Sequence, residues 1–186
     1  MAKAKDVARI FEYLSMSTDG TPIEKTRLNK LLYYAQGHAF HALNHELFTN
    51  EIDAWDHGPV VAVVYTGFDK IVENTHRKGI SDIQVSPDEM DVILDVWDQY
   101  ISYSAKELVD MTHKEGTPWK ETYRPNEKNT HIPKELIRQF FERPENHLKR
   151  PLTGELKKVP TVRALPAEEY DPEEDAVWEA LMNETQ

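Results

Sequence analysis

Eight histidines and no cysteine set the chemistry open to this 186-residue chain. Three of the histidines, His38, His41 and His45, follow one another at spacings of three and four. On a helix that spacing stacks them along one side, an arrangement that can hold zinc through imidazole nitrogens. His45-Glu46-Leu47-Phe48-Thr49 begins like the zinc-protease motif H-E-x-x-H, but Thr49 stands where the second histidine is needed. With no acidic ligand at a defined spacing either, they are expected to be a solvated, polar flank near a helix end, where a cationic ring also suits the helix dipole. No resident metal and no cofactor is expected. The rival is a metal-dependent hydrolase built on these three side chains.

A second candidate is His57, in the run EIDAWDHGPVVAVVY. Asp56 beside it would orient the imidazole as a general base. A base also needs a nucleophile and a pocket, and the sequence holds no G-x-S-x-G and no glycine-rich phosphate loop. The structural reading is fuller. Gly58 permits a sharp bend, Pro59 suits the first turn of a following helix, and Trp55 and Val60 cover the bend. His113, in MTHKEGTPWKE, reads the same way: a helix ends at His113, turns at Gly116 and restarts at Thr117-Pro118, with Trp119 after it. His57 and His113 are expected to meet as a buried neutral pair at a helix junction. No catalytic residue is assigned, and the chain is not expected to be an enzyme.

The elements that position these residues follow from apolar periodicity. Val7, Ile10, Phe11 and Leu14 mark a helix over 3–16. Leu28, Leu31, Leu32, Ala35, Ala39, Ala42 and Leu43 give a wide apolar stripe, a central buried helix over about 24–43. Residues 51–55 alternate weakly as a short extended segment. Residues 60–71 are expected to form a third helix, although their valines also admit a strand. Ser86-Pro87-Asp88-Glu89 is a capping box with proline in the first turn, opening a helix with Met90, Ile93, Leu94, Trp97 and Ile101 inside. Ser104 caps another short helix, and Pro133 opens one with Leu136, Ile137, Phe140 and Phe141.

Composition changes at Pro144. Residues 144–163 carry five basic and two acidic side chains, and 164–186 carry eight acidic and no basic ones. This reads as a proline-rich linker and an acidic arm, 144–186, behind a compact domain, 1–143. Within the arm, Asp171-Pro172-Glu173-Glu174 repeats the cap-and-proline pattern, and Val177, Trp178, Leu181 and Met182 share a helical face. So short a helix needs something to bury that face. The expected contact is a partner groove, with Glu173, Glu174 and Asp175 meeting basic residues; the alternative is packing on the chain's own domain.

The net charge is −11, and Lys25, Arg27 and Lys30 scatter around their helix instead of forming a stripe, so nucleic acid is not an expected partner. No apolar run approaches the about 20 residues of a membrane span. The cysteine-free, leaderless sequence fits the cytoplasm.

Three stretches in this order and spacing, TRLNKLLYYAQGHAFHALNHELF, EIDAWDHGPVVAVVY and SYSAKELVDMTHKEGTPWKE, followed by IPKELIRQFF, resemble the Panacea domain of SocA-like antitoxins, also known as phage-associated proteins. The resemblance spans about residues 5–143. It implies a mainly α-helical domain that binds and neutralises a toxin encoded beside it by direct contact. The toxins of such proteins are diverse, some being small alarmone-synthetase-like enzymes that block translation. One relative instead acts as an adaptor that delivers its toxin to an ATP-dependent protease. Trp55, His57, Gly58, Pro59, His113 and Trp119 fall on the family's motifs and are expected to be scaffold. The DNA-binding elements that some members carry are not seen in this sequence.

Overall fold

The computed structural model describes residues 1–149 other than 126, 128 and 129. Among them are eight α-helices and one two-stranded hairpin: α1 (Ala4–Asp19), α2 (Lys25–Leu43), β1 (Asp53–Trp55), β2 (Gly58–Val60), α3 (Ala62–Thr66), α4 (Phe68–Lys78), α5 (Pro87–Tyr100), α6 (Ala105–Thr112), α7 (Pro118–Thr122) and α8 (Lys134–Phe141). A 3₁₀ turn, Pro144–Asn146, follows. The fold is mainly helical, as the periodicity predicts.

The central helix is α2. Every residue from Leu28 to Phe40 is buried, because α1, α5, α6, α8 and the hairpin surround it. The stripe of Leu28, Leu31, Leu32 and Ala35 covers only one side of it. The other side carries Asn29, Lys30, Tyr33, Tyr34, Gln36, Gly37 and His38, all buried. Buried polar groups have to find partners. Gln36 accepts from the backbone N–H groups of Leu47 and Phe48 and donates to Phe48 O. Gly37 is there for space: a Cβ would lie 2.2 Å from Cδ2 of Phe141, so α8 packs onto α2 at a point only glycine leaves open.

The helix starts follow their caps. Ser86 Oγ accepts from Glu89 N, and the Glu89 carboxylate accepts from Ser86 N, which closes the capping box of α5. Ser104 and Glu107 repeat it for α6, and Thr117 caps α7 with Pro118 in the first turn. These satisfy amide groups that a helix cannot satisfy internally.

The expected third helix over 60–71 is corrected. Val60 belongs to β2, and the remainder is two helices that break at Gly67. Pro59 sits within β2 and not in a first helical turn. Its place follows from the register. β1 pairs antiparallel with β2, Ala54 opposite Pro59. Ala54 turns its N–H the other way, to Thr130 O at 2.8 Å, and Ile132 N donates to Ile52 O at 2.8 Å on that same side. Ala54 and Pro59 thus face each other where no ladder bond is required, and the absent proline N–H leaves nothing unpaired.

Candidate functional site

The turn of the hairpin is Asp56-His57, flanked by the pair Trp55 and Gly58. Gly58 takes φ +100, a conformation that favours glycine, and its missing Cβ matters as well: one would lie 2.6 Å from Lys30 Cε and 2.8 Å from Thr112 Oγ1. α2 holds this strand from below through two consecutive side chains. Asn29 Oδ1 accepts from Val61 N at 3.0 Å, and Lys30 Nζ donates to Pro59 O at 3.0 Å.

The segment from α6 to α7 holds the turn from the side. The indole N–H of Trp119 donates to Trp55 O at 2.8 Å. The His113 ring lies flat on Trp119, centroids 3.7 Å apart and planes within 11°, and Tyr123 stacks behind at 4.6 Å. The Tyr123 hydroxyl donates to Asp56 Oδ1 at 2.9 Å. Trp55, His57, Gly58, Pro59, His113 and Trp119 therefore come together around one hairpin. The expected buried His57–His113 pair does not form: His57 is exposed, because the turn points it outward, and His113 is covered by Trp119 instead.

Beside the turn opens a cleft of about 600 Å³, lined by Thr26, Asn29 and Lys30 of α2, Trp55, Asp56, His57 and Val60 of the hairpin, Tyr65 of α3, and Tyr123, Pro125 and Glu127. Tyr65 and Val63 are among the few large apolar side chains left exposed, and Tyr65 meets Trp55 edge to face at 5.0 Å. Lys25 Nζ rests 5.0 Å from the centre of the Tyr65 ring. At the foot lies Lys30, 1% exposed. Burial pushes its ammonium down from 10.5 to about 7. His113 is also held below its usual value, first by burial and then by Lys30. From the sequence Lys30 is one of three cations scattered around their helix; what marks it is its place among Tyr33, Tyr34 and Gly37, on the side of α2 opposite the leucine stripe.

The three histidines at the end of α2 and just past it diverge. His38 is buried, contrary to the expected solvated flank. Its Nε2 pairs with the Tyr100 hydroxyl at 3.0 Å, and its ring meets Phe141 edge to face at 4.7 Å. Burial, with His41 and His147 nearby, lowers its pKa to about 3. His41 is exposed and stacks on His147 at 3.6 Å, while the exposed His45 bonds through Nδ1 to Glu46 O. The helix end turns the three into different surroundings. Among the described residues no group of three His, Cys, Asp or Glu side chains is placed to hold a metal ion. Val177, Trp178, Leu181, Met182, Glu173, Glu174 and Asp175 lie outside the described residues.

No helix among the described residues is long and apolar enough to cross a membrane. Comparison with curated proteins and with solved structures returns no match. The family model for antitoxin SocA-like, Panacea domain, does match, over residues 28–120, half of the chain, running from the start of the buried stretch of α2 through the hairpin to α7. On that match the chain belongs to the SocA-like antitoxin family, as a Panacea-domain protein with the antitoxin-type role and the toxin partner that membership implies.

Proposed function

We propose that this domain neutralises a toxin encoded beside it by direct protein contact, and that the surface around the hairpin turn makes that contact. The observation that carries the reading is the use made of the motif residues. Side chains from α2, α6 and α7 spend their hydrogen bonds and ring stacks on holding one exposed turn in place. Next to that turn, Trp55, Val63 and Tyr65 present apolar area to solvent. Rigid aromatic side chains on a prearranged backbone are what protein recognition favours. A non-enzymatic role agrees with this use. The His113 ring is occupied by Trp119.

The acidic arm adds a second contact, proposed from the sequence alone: Val177, Trp178, Leu181 and Met182 in a groove of the toxin, Glu173, Glu174 and Asp175 against its basic residues.

Co-expression with the neighbouring toxin tests the reading. Growth is restored and the two proteins co-purify. Tyr65→Ala and Trp55→Ala weaken the complex, and deletion of 164–186 weakens it further. Restored growth without a complex overturns direct contact. A shortened toxin half-life in pulse–chase labelling replaces simple occlusion with delivery to a protease. If neutralisation survives loss of 164–186 while thermal stability falls, the arm packs on its own domain.

A further inference from the structure

Lys30 is buried, yet it lines the cleft and not the closed core. Its Nζ donates to Pro59 O, and an ammonium has three N–H donors. None of the ion pairs among the described residues includes it. Buried cations as a rule come with a counter-charge. The ionisable groups that line the cleft with it are Asp56 and His57 on the turn, Tyr65 on α3, and Tyr123 and Glu127 after α7, and His113 at the end of α6 feels its charge. Of the two carboxylates, Asp56 already accepts from the Tyr123 hydroxyl. The cleft therefore has donors at its foot, flat apolar walls in Trp55 and Tyr65, and a volume within the range of small-ligand sites.

We infer that the cleft is a carboxylate-binding site: one carboxylate on a flat apolar body accepts from Lys30 Nζ, and the body rests against the edge-to-face pair of Trp55 and Tyr65. The walls select the carboxylate over inorganic phosphate, which has no flat apolar body to place on Trp55 and Tyr65. Burial supports the assignment. Lys30 titrates near pH 7, so at pH 8 most of the free amine is neutral, and an arriving carboxylate draws a proton in from water. The carboxylate is that of a free aromatic acid, since an acidic side chain carries no flat body. The inference does not rest on the neutralisation reading, although both use Trp55 and Tyr65.

Isothermal titration of the full chain with sodium benzoate, at pH 6 and pH 8 and in two buffers of different ionisation enthalpy, tests it. Benzoate is expected to bind with proton uptake at pH 8 and with less at pH 6, because burial pushes the free amine down to about 7 and a bound carboxylate favours the ammonium. Lys30→Met, whose fold is checked by thermal melting, is expected to lose binding. Tyr65→Ala, an exposed wall position, is expected to weaken it several-fold, and inorganic phosphate is expected not to bind. The inference is overturned if benzoate does not bind, binds Lys30→Met equally well, binds at pH 8 without proton uptake, or is matched by phosphate. Failure of the benzoate arms leaves toxin neutralisation untouched, and loss of neutralisation leaves the benzoate arms untouched.

Discussion

Replacing Lys30 by methionine removes a buried charge while keeping the length of the side chain. In the unfolded chain the amine titrates at 10.5, and in the fold at about 7. Between those values the unfolded chain binds more protons than the folded one, so the wild type gains stability as pH rises through that window. Below about pH 7 the penalty of burying the ammonium is present in full. The interval of 3.5 units between the two values corresponds to on the order of 5 kcal/mol. Methionine removes that penalty but leaves Pro59 O without its donor, which costs about 1 kcal/mol. Lys30→Met is therefore expected to be more stable than wild type by about 3–4 kcal/mol at pH 6. Its advantage shrinks by about 1.4 kcal/mol per pH unit above pH 7 and vanishes near pH 10. Urea unfolding of both proteins at pH 6, 7, 8 and 9 reads this directly, as a midpoint difference of about 1–2 M at pH 6 that narrows with pH. Taking the difference cancels the titration of every group the two proteins share. A gap that stays constant from pH 6 to pH 9, or that widens, refutes the reasoning and returns Lys30 to the ordinary range of a solvated lysine.

Three other substitutions check other parts of the structure. Gly37→Ala drives a methyl group into the Phe141 ring, itself wedged against Tyr33 and His38, and is expected to lower stability by about 1–3 kcal/mol in urea unfolding. Trp119→Phe keeps a ring on His113 but removes the donor to Trp55 O; a loss of about 1 kcal/mol at an unchanged urea slope is expected. For His38 the folded pKa, about 3, lies below the ordinary 6.5, so its contribution is present above pH 6.5 and lost as pH falls toward 3, by about 1.4 kcal/mol per unit. His38→Gln, followed by circular dichroism between pH 7 and pH 4, is expected to flatten that part of the acid-unfolding curve.

The capped helices were legible in the sequence because their signals are local. Ser86 with Glu89, Ser104 with Glu107, and Thr117 with Pro118 announce their own starts within four residues. The hairpin was not legible in full. Gly-Pro before an apolar run reads equally as a helix start, and what decides it is the register against Thr130 and Ile132, more than 70 positions away. The site was half legible. Trp55, His57, Gly58, Pro59, His113 and Trp119 were singled out and do meet, although His57 turns outward. The burial of His38, and of Lys30 with it, is hidden in the sequence because the leucine stripe marks only one buried side of α2. The second side becomes visible only once α6, α8 and the hairpin close over it.

The way α2 grips β2 has one more consequence. Pro59 has no N–H to offer, its carbonyl is taken by Lys30, and the Val61 amide is taken by Asn29. On its other side β2 pairs with β1, and β1 in turn is covered by Thr130 and Ile132. The hairpin thus exposes no main-chain rung along β2 for a foreign polypeptide to lengthen the sheet. A partner cannot recognise this protein by strand addition there, nor can a second copy template on that margin. Whatever docks beside the turn must read side chains, so discrimination between one partner and another rests on residues such as Tyr65 and Val63, which evolution can exchange without disturbing the backbone that presents them.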